Sequence, residues 1–255
     1  MQGATDFMKR TMLALCIGAA IMLAGCSKTA VQPPSDVFKK AQDAYASLNS
    51  YTDEGKTVAV VSGMTLTTTF TIKLARPNLY RITWEQAVNS AVTNKGAVWS
   101  AGEGDFMVMG NGATLRESNQ ETALAGATGV SGNAAATIPG TFFKMNWGDQ
   151  LGGSMAGAKQ QPDEKVEDVD CYVFASELKK GITRTLWIGK QDLLIHQART
   201  VSSAAAVKAA MADAAKRQPG IAARLLQSGI QGITSTETHS KIIVNPKLSA
   251  ADFAP

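Results

Sequence analysis

The sequence predicts a mainly β domain of the α+β class, in which helices cover the apolar face of an antiparallel sheet. From Tyr51 onward, apolar and polar residues alternate with a period of two in short segments separated by Gly-containing turns. Helical spacing precedes the first of these segments, and two Ala-rich stretches interrupt them. No internal repeat divides the chain, so residues 35–255 are expected to form one domain.

The first predicted element is a helix over residues 36–49. Ser35 is a residue type that caps helix N-termini. The apolar residues that follow it have helical spacing, at Val37, Phe38, Ala41, Tyr45 and Leu48.

A β-meander is predicted after this helix, because the apolar period changes from helical to two. Tyr80, Ile82 and Trp84 share one face of a strand, and Arg81, Thr83 and Glu85 share the other. The predicted strands of this half lie in the segments GKTVAVVSG, MTLTTTFTIKLA, NLYRITWEQA, GAVWSAG and DFMVMGNGATLRES.

Two helical insertions are predicted later in the chain. Residues 118–160 are rich in Gly and Ala and are interpreted as a flexible connection with one short helix, placed near 136–150 around the apolar cluster Ile138 to Trp147. Strands return in DEKVEDVDCYVFASEL, GITRTLWIGK and DLLIHQARTVS. An Ala-rich stretch near 203–229 predicts two helices divided at Pro219, and a final strand pair is expected in ITSTETHSKIIVNP.

The N-terminal residues have the features of a lipoprotein signal peptide. Lys9 and Arg10 precede an apolar run over 11–24, which is shorter than the roughly 20 residues that cross a bilayer. The residues Leu23-Ala24-Gly25-Cys26 resemble the bacterial lipobox, in which the cysteine is acylated and the chain is cut before it. Residues 1–25 are therefore predicted to be the signal, Cys26 the lipidation site and residues 26–34 a Pro-containing tether.

Acylation of Cys26 would fix the protein to a membrane. A diacylglycerol group and an N-acyl chain such as palmitate exceed the two signals that stable anchoring requires. This places the chain in the bacterial cell envelope, facing the periplasm. Ser27, rather than Asp, favours the outer membrane by the rule known for enteric bacteria.

The remaining composition argues against several classes of function. The formal net charge is only +4 and basic residues alternate with acidic ones, so a nucleic-acid partner is not expected. Cys171 has no partner in the mature chain and is interpreted as a buried apolar residue, with a reactive thiol as the alternative. The acidic run from Asp163 to Asp170 lacks the order of a calcium loop and is interpreted as a solvated strand edge.

No enzyme, cofactor or metal site is expected. His196 and His239 both lie in strand-like segments, and neither has the spacing of a metal ligand. Nucleophile-elbow, P-loop and dinucleotide motifs are also missing from the sequence.

Three stretches of the sequence carry a resemblance to a known family. LARPNLYRITW with VTNKGAVWSAG, and the ending HSKIIVNPKLSAADFAP, resemble LolA-type outer-membrane lipoprotein carriers. The predicted anchor at Cys26 makes the chain more similar to their outer-membrane receptor LolB. VDCYVF with ITRTLWIGKQDLLIHQ is similar to related periplasmic proteins. The resemblance covers about residues 36–117 and 165–200 and the C-terminal strand.

The resemblance implies a half-open antiparallel β-barrel whose concave face holds acyl chains beneath helices. The available covers are the helix at 36–49, the cluster at 138–147 and the pair at 204–228. Arg76 matches the arginine that joins sheet and helical lid in the carriers, with a solvated turn arginine as the alternative. The predicted apolar lining, which equally suits a filled core, is Phe70, Ile72, Leu74, Tyr80, Ile82, Trp84, Val98, Phe106, Val108, Leu186 and Ile188.

The sequence thus favours a membrane-anchored lipoprotein that binds acyl chains, phospholipid or lipidated proteins. The alternative is a non-catalytic stress sensor or structural lipoprotein that acts through a protein partner, with the Ala-rich helices as the contact surface.

Overall fold

Eleven antiparallel strands form one sheet in the computed structural model, which describes residues 33–61, 63–147, 151–217 and 231–255. These residues all belong to one unit, Gln32–Pro255. The predicted signal peptide and Cys26 lie outside the described residues. The strands are β1 Ser50–Val61, β2 Met64–Ala75, β3 Leu79–Val88, β4 Ala91–Ser100, β5 Asp105–Met109, β6 Leu115–Glu117, β7 Lys159–Val166, β8 Val169–Lys179, β9 Ile182–Gly189, β10 Ile195–Ser203 and β11 Gly232–Val244.

The sheet is open, because its edge strands β6 and β7 stand at opposite ends of the strand order and do not pair with each other. The order is β6-β5-β4-β3-β2-β1-β11-β10-β9-β8-β7, so the first and last strands of the chain meet at the centre. This arrangement confirms the predicted fold class, a mainly β half-barrel with helices.

The predicted final strand pair is wrong, since β11 is one continuous strand. Its irregularity is a bulge, where the pairing with β1 shifts between Thr52 and Glu54. Lys241 has φ +50° at this point. A bulge accommodates one extra residue without reversing the chain.

Four helices accompany the sheet in the described residues: α1 Pro34–Ser47, α2 Gln120–Thr128, α3 Thr137–Phe142 and α4 Ala204–Arg217. The first helix begins earlier than predicted because Pro34 supplies the fixed φ that suits a first helical turn. The second helix was not predicted. The Asn119 side chain caps it by accepting the Thr122 N–H at 2.9 Å. The second helix predicted beyond Pro219 lies outside the described residues.

The main core lies between the inner face of the sheet and helices α1, α2 and α3. α1 contributes Val37, Phe38, Ala41 and Tyr45, as its spacing predicted. α4 contacts β10 and β11, and none of its described residues belongs to this core. The second helix of the predicted pair lies outside the described residues, so the role of the pair as a cover stays a prediction. None of the described helices is long and apolar enough to span a membrane.

Candidate functional site

Nine of the eleven predicted lining residues lie on the inner face and are no more than 4% exposed. They pack in one cluster with side chains of α1, α2 and α3, so this part of the concave face is filled by protein. The nine are Phe70, Ile72, Leu74, Tyr80, Ile82, Trp84, Val98, Leu186 and Ile188.

Phe106 and Val108 lie on the outer face instead, which corrects their predicted position. Met107 is the inner-face residue of β5, since it pairs with Val98. Phe106 stacks on Trp99 outside, with ring centroids 5.7 Å apart. Because apolar side chains occupy both faces of this strand, alternation could not show which residues point to the inner face.

Arg76 joins the sheet to two of the covering helices. Its guanidinium donates to the carbonyl oxygens of Leu48 (2.9 Å) and Tyr45 (3.2 Å) at the end of α1. It also donates to the Phe142 carbonyl of α3 at 2.9 Å and lies 4.5 Å from the centre of that ring. These carbonyls are the acceptors that helix C-termini leave without intrahelical partners.

Beyond a row of polar side chains, Thr57, Thr68, Gln86 and Asn94, the inner face carries a second apolar patch. Leu66 pairs with Ala59 on β1 and with Val88 on β3, and Met64 pairs with Val61. All five share the face of Phe70, because residues opposite each other in a sheet point to the same side. Met64 is 52% exposed and the other four are half-buried, which leaves an open apolar mouth at this end.

Trp84 lies on β3 next to this mouth. Its ring rests on Gly96, where a Cβ would come 2.2 Å from the indole, so this glycine is required by close approach. The buried indole Nε1 has no hydrogen-bond partner within the described part of the chain. A buried donor without an acceptor is costly, and this atom would gain from a carbonyl or carboxylate oxygen.

The α2 helix covers the sheet beside Trp84. It contacts β4 and β5, and it buries only Ala123, Leu124 and Ala127. The side-chain hydrogen bonds of this helix in the described structure are all local, from its Asn119 cap to Thr128. Apolar packing alone therefore holds α2 on the sheet.

A buried chain of polar groups crosses the centre of the inner face. Tyr51 donates to Asp53 at 2.9 Å, and His239 Nδ1 lies 2.7 Å from the same carboxylate oxygen. His239 Nε2 is 3.2 Å from Glu237 Oε1, close enough for an ion pair but without hydrogen-bond geometry. Burial opposes the charged imidazole, but Asp53 and Glu237 together raise the pKa of His239 to about 10. At neutral pH His239 is therefore a cation between two carboxylates.

The same chain reaches α3 and β9. Thr137 of α3 donates to Glu237 Oε2 at 2.6 Å, and Arg184 of β9 donates to the Thr137 hydroxyl at 3.3 Å. Burial lowers the pKa of Arg184, and the Glu237 charge acts against this. With two carboxylates and two cations, the buried set is neutral overall, which limits its desolvation cost.

One part of this buried polar network has a pattern in the sequence that the prediction did not use. Glu237 and His239 are two residues apart on a strand, so they point to the same face. Asp53 belongs to none of the predicted strand patterns. Only the pairing of β1 with β11 brings it close to His239. The described residues contain no group of three His, Cys, Asp or Glu side chains that could hold a metal ion.

Cys171 lies in a second, smaller cluster on the outer face, with Val166, Val173 and Trp187. It is free and fully buried, and burial raises the pKa of its thiol to about 11. The predicted buried apolar role describes this position better than a reactive thiol. The acidic run lies on the edge hairpin β7–β8, where Asp163 pairs with Lys190 at 2.6 Å.

Pockets on the described part of the surface include three with distinct positions. One of about 520 Å³ lies along the threonine-rich outer face of the central strands, and one of about 340 Å³ lies between α1 and α3. The third, of about 220 Å³, lies between α1 and residues 151–156. None of the three lies beneath α2.

No family model matches the chain, and no curated protein matches it. Solved structures do match. LprF from Mycobacterium bovis is 10% identical with a TM-score of 0.46, over 85% of this chain and 95% of that one. A DUF1329 family protein from Desulfovibrio piger is 14% identical with a TM-score of 0.38, over 87% and 95%.

A LolA superfamily protein from Nitrosomonas europaea is 10% identical with a TM-score of 0.35, over 88% of this chain and 99% of that one. At these identities the likeness concerns the fold alone. The solved structures with a similar fold thus include the superfamily that the sequence resembles.

Proposed function

We propose that this chain is a non-catalytic, lipid-anchored protein of the bacterial envelope that binds an acyl chain, free or carried by a lipid or lipoprotein, between its sheet and α2. Cys26 is the anchor in this proposal, and the protein faces the periplasm. The observation that carries the proposal is the apolar mouth at the end of the inner face, with Met64 52% exposed.

The path of the acyl chain follows from the packing. It enters past Leu66 and Val88 in the mouth, crosses the row that contains Thr68 and Gln86, and lies beyond Trp84 along Val98 and Met107. α2 lies over the strands that carry these last two residues and has only local side-chain hydrogen bonds. Entry therefore exchanges apolar contacts at α2 and passes two long hydrogen bonds, from Gln86 to Thr68 (3.3 Å) and from Asn94 to Gln86 (3.4 Å).

The carbonyl end of the ligand would lie at Trp84. The buried indole N–H is without an acceptor in the described structure, and an ester or carboxylate oxygen would satisfy it. Gln86 and Asn94 are neighbours on β3 and β4 and hydrogen-bond each other at 3.4 Å, so polar side chains line this part of the path.

Binding of a fluorescent sixteen-carbon fatty acid to the purified full chain tests the proposal. Leu66→Asp places a charge in the mouth, and Thr67→Asp places the same charge one residue away on the outer face. We expect the first variant to weaken binding by at least about tenfold, since a charge in an apolar site costs well above 1.4 kcal/mol. The second should bind as wild type does.

Trp84→Phe keeps an aromatic ring and removes the indole N–H. This variant should weaken the binding of a fatty acid more than the binding of a hydrocarbon probe of equal length, because only the fatty acid has a hydrogen-bond acceptor. The thermal unfolding midpoint of each variant shows whether the fold is kept. Wild-type affinity in Leu66→Asp, or no saturable binding by the wild type, would refute the proposed site.

A protein partner is the second candidate, and α4 is the observation in its favour. Of the side chains that the structure describes in this helix, only Val207 is buried, while Ala205, Ala209 and Ala210 are exposed. Photocrosslinking from Ala210 in cells would capture a partner on this reading. A protein that binds no acyl chain but forms a specific crosslink there would support this candidate.

A further inference from the structure

One end of the sheet is formed by the hairpins β1–β2, β3–β4 and β8–β9 together with the end of β10 and the start of β11. It is named here the hairpin end. The pairing of Val61 with Met64, Val88 with Ala91 and Ser203 with Gly232 aligns these strand termini side by side. The turns β4–β5, β7–β8 and β9–β10 lie at the opposite end of the sheet.

Apolar side chains are exposed on the outer face of the hairpin end. Val60 and Val201 flank Thr234 on three neighbouring strands and are 45% and 42% exposed. Val92, at the start of β4, is 52% exposed. With the mouth residues on the inner face, this end has apolar side chains in contact with water on both sides of the sheet.

Acidic residues are segregated from this end. The segments 58–66, 86–94, 199–207 and 231–236 contain no Asp or Glu, and the β8–β9 turn carries exposed Lys179 and Lys180. Glu177 lies nearby, and its carboxylate accepts the Gly181 N–H at 3.0 Å. The turns of the opposite end carry Glu103, Asp105, Glu167, Asp168 and Asp192.

Apolar side chains with flanking lysines and few acids are the chemistry of a surface that sits in the headgroup region of an anionic bilayer. Ile243 and Val244 are exposed at the opposite end as well, so the lysines and the scarcity of acidic residues distinguish the hairpin end. We propose that the hairpin end rests on a membrane that contains anionic phospholipid. This contact is distinct from acyl binding, since Val92, Val201 and the lysine turn lie outside the proposed acyl path.

Hydrogen exchange of the full chain, measured by mass spectrometry, tests the contact. Vesicles of phosphatidylcholine with about one third phosphatidylglycerol should slow exchange in 58–66 and 86–94 and leave 101–105 unchanged. Lys179→Glu with Lys180→Glu should raise the lipid concentration for half-maximal protection by about tenfold or more, because each lysine near such a surface contributes about 1 kcal/mol.

Val92→Asp with Val201→Asp should remove the protection. Val244→Asp is the matched control, a valine 46% exposed at the opposite end, and should leave it intact. All three positions are exposed, so the fold should be kept. Equal protection at both ends, protection that survives Val92→Asp with Val201→Asp, or equal protection by pure phosphatidylcholine would overturn the proposal. Protection by an envelope protein and not by vesicles would overturn it as well.

Discussion

Replacing His239 by Gln tests whether the buried polar chain behaves as a balanced set of charges. His239 is fully buried and lies 2.7 Å from Asp53 and 3.2 Å from Glu237. Removing the cation leaves two carboxylates facing one remaining cation, Arg184. Breaking a buried ion pair by removing one partner costs about 3–5 kcal/mol. For a unit of this size that corresponds to a fall in Tm of roughly 6–20 °C.

His196→Gln is the matched control. His196 also pairs with an aspartate, at 2.9 Å, but its partner Asp192 is 39% exposed and water can replace the lost contact. We expect this variant to lose about 1 kcal/mol or less. Chemical unfolding in urea, with the midpoint and slope fitted together, measures both variants on the same scale.

The pH dependence adds an independent measurement. The pKa of His239 is raised from 6.5 in the unfolded chain to about 10 in the folded one. Its contribution to stability is therefore complete below pH 6.5 and is lost as the pH rises toward 10. Wild-type unfolding free energy should fall between pH 7 and 9.5, and His239→Gln should lack this component. A variant that unfolds within about 2 °C of wild type, or that keeps the full pH slope, would refute the reasoning.

Three further outcomes follow from single contacts. Arg76→Lys should lose about 1–3 kcal/mol in urea unfolding, because one ammonium replaces both the Nε that donates to Leu48 and the Nη2 that donates to Tyr45 and Phe142; an unchanged unfolding free energy would show that Arg76 does not hold α1 and α3 on the sheet. The Cys171 thiol should resist alkylation at pH 8 in the native protein and react once it is unfolded, since burial raises its pKa to about 11. Rapid native labelling would contradict its position in the outer cluster. Gly96→Ala should be poorly tolerated, because its Cβ would come 2.2 Å from the Trp84 ring. Gly110→Ala is the control for backbone strain, since Gly110 has a φ of +56° but no neighbouring atom within 4 Å. Comparable unfolding midpoints for wild type and Gly96→Ala would show that the indole moves aside.

The strands and α1 could be predicted from the sequence because their periodicity is local. Phe70, Ile72 and Leu74 alternate with polar residues, and each falls on the inner face. Phe106 was misplaced because β5 has apolar residues on both sides, where no pattern distinguishes the faces. α2 was missed because its stability comes from packing of alanines on β4 and β5, which composition alone does not reveal.

The polar chain could not be predicted for a different reason. It joins residues of β1, β11, β9 and α3, which only the closing pair of first and last strands brings together. Within the sequence, Asp53 and His239 are 186 positions apart. The two-residue spacing along one strand could have placed Glu237 and His239 on the same face, but it could not have predicted the other members of the polar chain.

A filled inner face is compatible with acyl binding if one cover is cheaper to displace than the ligand is to bury. α1 and α3 are joined to the sheet through Arg76, and α3 also through Thr137. α2 has no such link and buries one leucine and two alanines, worth about 3–5 kcal/mol of apolar transfer. A sixteen-carbon chain gains about 10 kcal/mol when most of its methylenes leave water. The balance favours exchange at α2, so hydrogen exchange in 120–128 should rise when the fatty acid binds, while 137–142 stays protected. Increased exchange in 137–142 instead would mean that the ligand displaces α3 and breaks the buried polar chain.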